Sequence, residues 1–343
     1  MTRRRSLAFA LARIGLAVVI STAVLIAVAI LYCTGMPGDS YPGPGAPLSG
    51  DERALVDELR EHVAALSVGI GVRRAVVGDS LAQAEAYVSR QLELAASPLA
   101  LKAQREPLTR AQGNAANVFI ELPGAKSGPW IIIGAHYDSA PGDTPGANDN
   151  GTGTAAALAL ARRLARTSHG LPIRIVLFAN EEPPYFWTDA MGSLQHASGC
   201  KQRKEDVRAM LSLETMGYYS DAPRSQQYPP PLDRLYPDKG NFIAFVGDLG
   251  SRGLVREIIG TFRRHATIPS EGAALPAALP GVGWSDHWSF WQFGYAAVMV
   301  TDTAVFRDPN YHEQSDVIAN INFDRLARVV SALQRTVEEL ARR

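Results

Sequence analysis

Five residues able to bind a metal ion stand at the ends of apolar runs of this chain or on the loops that follow them: His136, Asp149, Glu182, Glu214 and His312. His136 closes Trp130-Ile131-Ile132-Ile133-Gly134-Ala135, which begins with the bulk and β-branching of a buried strand. Asp138 follows two residues later, and Asp149 lies beyond a Pro/Gly-rich loop, in Asn148-Asp149-Asn150-Gly151. Ile173–Phe178 runs into Ala179-Asn180-Glu181-Glu182, and Leu211-Ser212-Leu213 into Glu214. Ala296–Thr301 leads through a loop to Tyr311-His312. A lone histidine or an isolated Glu-Glu pair is ordinarily a solvated surface feature. Here the carboxylates follow apolar strands, and open α/β sheets build their sites at the carboxyl ends of strands. Imidazole with carboxylate suits zinc. Two histidines and three carboxylates suit a metal pair roughly 3.5–4 Å apart that shares one bridging carboxylate.

The elements that must position these groups alternate. Helical spacing covers 51–66, with Leu55, Leu59, Val63 and Leu66 on one side and Ser49 or Asp51 as cap. Helices also follow at 80–94, 154–166, 254–265 and 323–340, and strands at 117–122, 130–134, 173–178, 211–213, 242–246 and 296–301. This order predicts an α/β fold with a mixed, mostly parallel central sheet and helices on both faces. One large folded domain is expected over 51–343.

Ahead of it, Arg3, Arg4, Arg5 and Arg13 precede an uncharged apolar run from Ile14 to Tyr32, close to the roughly 20 residues that cross a bilayer as one helix. The arginines place that end in the cytoplasm. Residues 1–33 therefore read as a membrane anchor that holds the domain outside the cytoplasm. The alternative is a secreted form cleaved after a signal peptide, near Ala27-Val28-Ala29. Residues 34–50, TGMPGDSYPGPGAPLSG, read as a Gly/Pro-rich linker. The formal net charge is zero and no basic stripe follows the N-terminal arginines, which argues against a nucleic-acid partner. Only Cys33 and Cys200 are present, and a disulfide between them stays open.

The stretches GAHYDS (134–139), ANDNGTG (147–153), FANEE (178–182), MGS (191–193), LETMG (213–217), SDHWSF (285–290) and YHEQSD (311–316) together resemble the co-catalytic zinc aminopeptidases of the aminopeptidase Y type. Relatives of that family include glutamate carboxypeptidases, animal glutaminyl cyclases and the inactive transferrin receptor ectodomain. The resemblance covers about Asn117 to Leu340 and implies a zinc exopeptidase fold. It implies a metal-dependent exopeptidase, most simply an aminopeptidase, that hydrolyses N-terminal peptide bonds with a water activated by two zinc ions and Glu181. His136 resembles a ligand of one zinc and Asp149 the carboxylate bridging both, with Glu182, Glu214 and His312 completing the pair. Glu181 resembles the general base, Asp138 the carboxylate orienting His136, and Tyr311 the phenol that hydrogen-bonds the developing oxyanion. Asp286 and His287 resemble residues bordering the site. A single-zinc cyclase-like acyltransferase and a non-catalytic ectodomain are the alternatives.

The chain departs from the family pattern at Glu214, where most of these aminopeptidases carry aspartate. Two loops, Pro183–Trp187 and Asp221–Gly240, are aromatic and proline-stiffened, as pocket-shaping loops often are. His62 reads as a solvated helix-face residue, and His169, His196 and His265 as uninvolved in metal binding. Trp284, Trp288 and Trp291 read as core and pocket wall. Ser193 reads as a helix start, since no Gly-x-Ser-x-Gly elbow accompanies it.

Overall fold

The computed structural model describes residues 2–43, 45–110 and 114–342; the side chains of residues 1–10, including Arg3, Arg4 and Arg5, lie outside that description. Eight strands form one sheet: β1 (Gln104–Pro107), β2 (Ala116–Leu122), β3 (Trp130–His136), β4 (Ile173–Phe178), β5 (Val207–Glu214), β6 (Ile243–Asp248), β7 (Ser270–Leu275) and β8 (Ala297–Thr301), in the order β1-β2-β4-β3-β5-β8-β6-β7. The inner strands β4, β3, β5 and β8 run parallel, β6 pairs with β7 in parallel, and β1–β2, β2–β4 and β6–β8 are antiparallel. The inner strands are buried along nearly their whole length, which is why they read as unbroken apolar runs rather than alternating ones.

Helices cover both faces. One face carries α2 (Gly50–Ala64), α3 (Ser80–Ala95), α4 (Gly153–Leu164), α6 (Arg252–His265) and α8 (Phe323–Arg342), packed into the principal core with Ile131, Ile133, Ile175 and Leu211. On the other face α5 (Gly192–Gln202) and the short α7 (His287–Trp291) cover Ile132, Val176, Phe178 and Met210. Ser49 caps α2 in a capping box with Glu52. Two strands are absent from the sequence reading. β1 is four exposed or half-buried residues at the edge, and β7 (SEGAAL) is made of small residues with no β-branched run.

Helix α1 (Thr2–Thr34) contains, from Arg13 to Thr34, a segment long and apolar enough to cross a membrane. The Gly/Pro-rich linker after it lies against the domain. Met36 packs against the principal core, Arg263 donates to the carbonyls of Pro37 (3.2 Å) and Gly38 (2.7 Å), and Ser40 Oγ accepts from Ser270 N–H (2.8 Å). Arginine donors turn this Gly/Pro backbone into a strap laid on α6 and β7. Cys33 and Cys200 are free thiols in separate apolar clusters, so the possible disulfide does not form. His62 is half-buried rather than solvated, its Nδ1 lying 2.8 Å from the Tyr87 hydroxyl.

Helix α4 starts hard against β5. A Cβ at Gly153 would lie 2.2 Å from the Leu213 carbonyl oxygen and 2.3 Å from Asn150 Oδ1; the first is backbone, and the second belongs to an amide held by Leu213 O and Glu214. Gly153→Ala should therefore destabilise the fold by about 1–3 kcal/mol, as overpacking does, and should lower the urea midpoint without changing the slope.

Candidate metal centre

The parallel arrangement brings the ends of β3, β4, β5 and β8 to one edge of the sheet. His136 is the last residue of β3 and Glu214 the last of β5, while Glu181 and Glu182 lie just past β4. Asn180 and His312 adopt positive φ (58° and 62°), a conformation uncommon for residues other than glycine, and so turn the chain sharply where Glu181 and His312 are presented.

Asp149 is the centre of the group. Its Oδ1 lies 3.3 Å from His136 Nε2 and its Oδ2 lies 3.1 Å from His312 Nε2. On the first side Glu214 Oε2 is 3.2 Å from His136 Nε2; on the second Glu182 Oε2 is 3.4 Å from His312 Nε2. Glu181 Oε2 lies 3.7 Å from His136 Nε2, in the group formed with Glu214, whereas Glu182 groups with His136 and Asp149. The neighbouring glutamates thus face different parts of the cluster.

Apart from the half-buried His312, these groups are buried. Burial, then the Asp149 and Glu181 charges, holds the Glu182 carboxyl well above the usual range. Burial also lifts Glu181 strongly, the nearby His136 opposing it and Glu214 adding to it. Glu214 is raised by burial against the pull of His136. Asp149 goes the other way: burial resists its ionisation, but the imidazoles of His136 and His312 beside its two oxygens outweigh it. Burial would depress His136, yet the Glu214 and Glu181 carboxylates raise it well above an ordinary imidazole.

Both ring nitrogens of His136, both oxygens of Asp149 and Glu182 Oε1 are buried without a hydrogen-bond partner. Buried polar atoms are normally satisfied. Two imidazoles with four carboxylates form a donor set that divalent cations neutralise, and the mix of nitrogen and oxygen donors fits zinc.

The surrounding residues fix this set. Asp138 Oδ1 is 3.3 Å from His136 Nδ1, and its two oxygens accept the backbone N–H groups of Glu181 (3.3 Å) and Glu182 (3.1 Å). One carboxylate thereby orients an imidazole and the loop bearing both glutamates. Asp316 accepts from the N–H groups of Asn148 (2.7 Å) and Asp149 (3.0 Å). Glu214 Oε2 accepts from Ser285 Oγ (2.9 Å) and Asn150 Nδ2 (3.2 Å). Burial pushes Asp286 up to about 7, with His136 opposing the rise and Glu214 adding to it. Tyr311 stacks on the His312 ring at 4.0 Å and, with Glu214, lines the adjoining cavity.

His287, read as bordering the site, has its Nε2 2.7 Å from the carbonyl of Val282, a residue of the cavity wall, and its ring meets Trp291 edge-on at 4.6 Å. His169, His196 and His265 pair with Leu164 O, Glu106 and Glu339 respectively. Trp284 lines the cavity and Trp291 donates to Ala297 O.

One residue that sequence reasoning missed is Arg73. It is fully buried and donates to the carbonyls of Tyr137 (2.8 Å), Gly71 (3.0 Å), Pro145 (2.6 Å) and Gly146 (2.9 Å). It clamps both ends of the loop between β3 and Asp149. Burial depresses it to about 10, against the raising influence of Asp316, Asp138, Asp149 and Glu182. Nothing in its sequence neighbourhood marks it. Asp316, Asn150 and Ser285, by contrast, sit inside motifs that the sequence displays.

The matching family model is that of Peptidase family M28, over residues 117–337. The chain belongs to peptidase family M28. It is thereby a metallopeptidase. It is 35% identical over 300 residues to the Escherichia coli protein YfbL, covering 85% of this chain and 90% of that one. It is 26% identical over 241 residues to leucine aminopeptidase 1 of Trichophyton rubrum, spanning 66% of this chain and only 58% of the relative. Among solved structures, a zinc aminopeptidase from Bacillus subtilis superposes with a TM-score of 0.65 at 16% identity, over 84% of this chain and 95% of that one. The glutaminyl cyclase of Tannerella forsythia superposes with a TM-score of 0.60 at 18% identity, over 82% and 98%. At such identities these two structures attest the shared fold.

Arg73→Met should lower stability by about 3 kcal/mol or more, because several carbonyls lose a charged donor at once. It should weaken zinc binding along with it, and Arg73→Lys, which keeps charge but not the fork, should fall between. Thermal melts with and without zinc measure both; an unchanged zinc affinity in a folded Arg73→Met protein would show that the clamp does not act on the centre.

Proposed function

We propose that this M28 enzyme is an aminopeptidase that uses two metal ions, most simply zinc, and Glu181 to hydrolyse N-terminal peptide bonds. The observation carrying this reading is Asp149, whose two oxygens face two different histidines. His136 and Glu214 would complete one ion's ligands, and His312 and Glu182 the other's. Zinc so held supplies Lewis acidity toward the scissile carbonyl and the attacking water. Glu181 accepts the water's proton and passes it to the leaving amine. Tyr311 donates its hydroxyl to the oxyanion as it develops. Asp138 keeps His136 oriented and the two glutamates apart.

Glu181→Gln should keep metal and fold while losing about 10²–10⁴-fold in turnover. Near-normal kcat in metal-loaded Glu181→Gln protein would mean that the base lies elsewhere. Elemental analysis of zinc-saturated protein should give two ions per chain, with His136→Ala and His312→Ala each removing about one. A stoichiometry fixed at one would replace this reading with the single-zinc cyclase alternative.

The apolar helix supports membrane anchoring through residues 14–32, with the catalytic domain outside the cytoplasm. Protease added to intact cells, with any outer envelope opened, should digest the domain. Full protection, or a soluble mature form beginning near Ile30, would contradict the anchor.

A further inference from the structure

The end of the membrane helix and the wall of the site cavity belong to one apolar cluster. Ala273, Leu275 and Val282 form its buried part, and Cys33 packs against it beside Leu232, Tyr236, Val246 and Leu279. All of these except Cys33 line a cavity of about 110 Å³, whose wall also includes Glu214 and Tyr311 of the candidate centre. One water needs roughly 10–15 Å³, so there is room for a chain of several carbons. The carboxylate of Glu271, which also lines the cavity, has Arg263 within 3.8 Å as counter-charge.

The helix end is held in place. The Arg252 guanidinium lies 4.0 Å from the Tyr32 ring centroid and its Nε donates to the Tyr32 carbonyl at 2.6 Å. Arg256 donates to the Gly35 carbonyl, and the strap beyond it is bound by Arg263 and Ser270 as described. The domain therefore does not swing on a free tether. Two exposed leucines flank the junction. Leu249 accepts from Arg252 N–H (3.4 Å), and Leu235 immediately precedes Tyr236. Exposed leucines next to Arg234 and Arg252 suit a surface resting at the lipid headgroups.

We infer that the enzyme takes amphiphilic substrates from the bilayer surface, seating the extended apolar chain of the terminal residue in the cavity between the metal centre and the anchor. This rests on the aminopeptidase and anchor readings for its chemistry and placement, but the cavity's ligand class can be tested without either. The chain enters from the leaflet that the domain faces, with its amide end toward Glu214 and Tyr311. Short apolar residues would leave the part of the cavity near Leu232 and Tyr236 unfilled.

Two measurements test the inference on the full chain in phosphatidylcholine–phosphatidylglycerol vesicles. In the first, chelator-treated protein is titrated with decylamine against fluorescent dansyl-undecanoic acid. Saturable binding displaced by decylamine and not by butylamine is expected. Leu279→Trp and Leu232→Trp, at half-buried positions in the wall, should each weaken binding by roughly tenfold, the worth of about two buried methylenes. An exposed control, Leu94→Trp, should leave it unchanged. No saturable binding, or binding indifferent to both wall variants, overturns the inference whether or not the enzyme is a peptidase. In the second, zinc-loaded protein is given a long-alkyl aminoacyl amide embedded in the vesicles and a short-chain soluble one. A Gly/Ser insertion after Thr34, combined with Arg252→Ser, should lower kcat/KM for the embedded substrate and leave the soluble one unaffected. An equal loss on both, or none on either, rejects the bilayer as the source. Absence of turnover on every substrate in protein that binds decylamine instead counts against the aminopeptidase reading.

Discussion

Holding Asp149, Glu181, Glu182 and Glu214 together out of water is the constraint on which the rest of this structure depends. Each buried carboxylate is penalised for its charge by desolvation and by its neighbours. Three of the four are pushed toward the neutral form. Only Asp149 is driven the other way, because an imidazole stands at each of its oxygens. Arg73 adds a positive charge behind them but spends its donors on carbonyls, so it cannot satisfy them. Without a metal the balancing charge falls to the two imidazoles, both raised by these carboxylates; a divalent ion would fit among groups 3.1–3.7 Å apart and supply it in their place.

Such a set stays in place only on rigid supports. The parallel strands β3, β4 and β5 deliver His136, the two glutamates and Glu214 to one edge with no adjustable element between them. Backbone N–H groups then lock the loops, through Asp138 at Glu181 and Glu182 and through Asp316 at Asn148 and Asp149. Helix α4 begins at Gly153, only four residues after Asp149, so the positive end of its dipole lies toward the carboxylates. The close approach at Gly153 is what lets Asn150 bind Leu213 O and Glu214 together.

The legible part of the fold was the part whose side chains report their surroundings. Strands buried on both faces have to be apolar throughout, so β3 and β4 announced themselves, and the ligand-type residues stood out because they broke those runs. β7 stayed hidden because Gly272 and Ala273 carry no β-branched bulk, and β1 because an edge strand can be polar. The course of the segment 35–40 was not legible for a related reason. Its composition describes a flexible chain, while what fixes it are arginines more than two hundred residues away in sequence. Arg73 was silent because it binds carbonyls, which every residue has. His62 was read as solvated because its partner, Tyr87, belongs to a different helix.

The same contrast separates chemistry from selection. At the parallel strand ends, side chains are crowded and the geometry has no slack. Toward β6 and β7, Ala244, Gly272 and Ala273 are too small to fill the space beside the sheet, and the insertion 221–240 roofs it with Tyr228, Leu232 and Tyr236. Tyr236 is tied down by its hydroxyl, which donates to Gly272 O at 2.9 Å, and stacks on Tyr228, so this roof is a fixed wall. A wall built from an inserted loop can change without disturbing the strand ends that carry the reacting groups. The apolar helix α1 joins the protein on that variable side, where Cys33 meets the back of the wall.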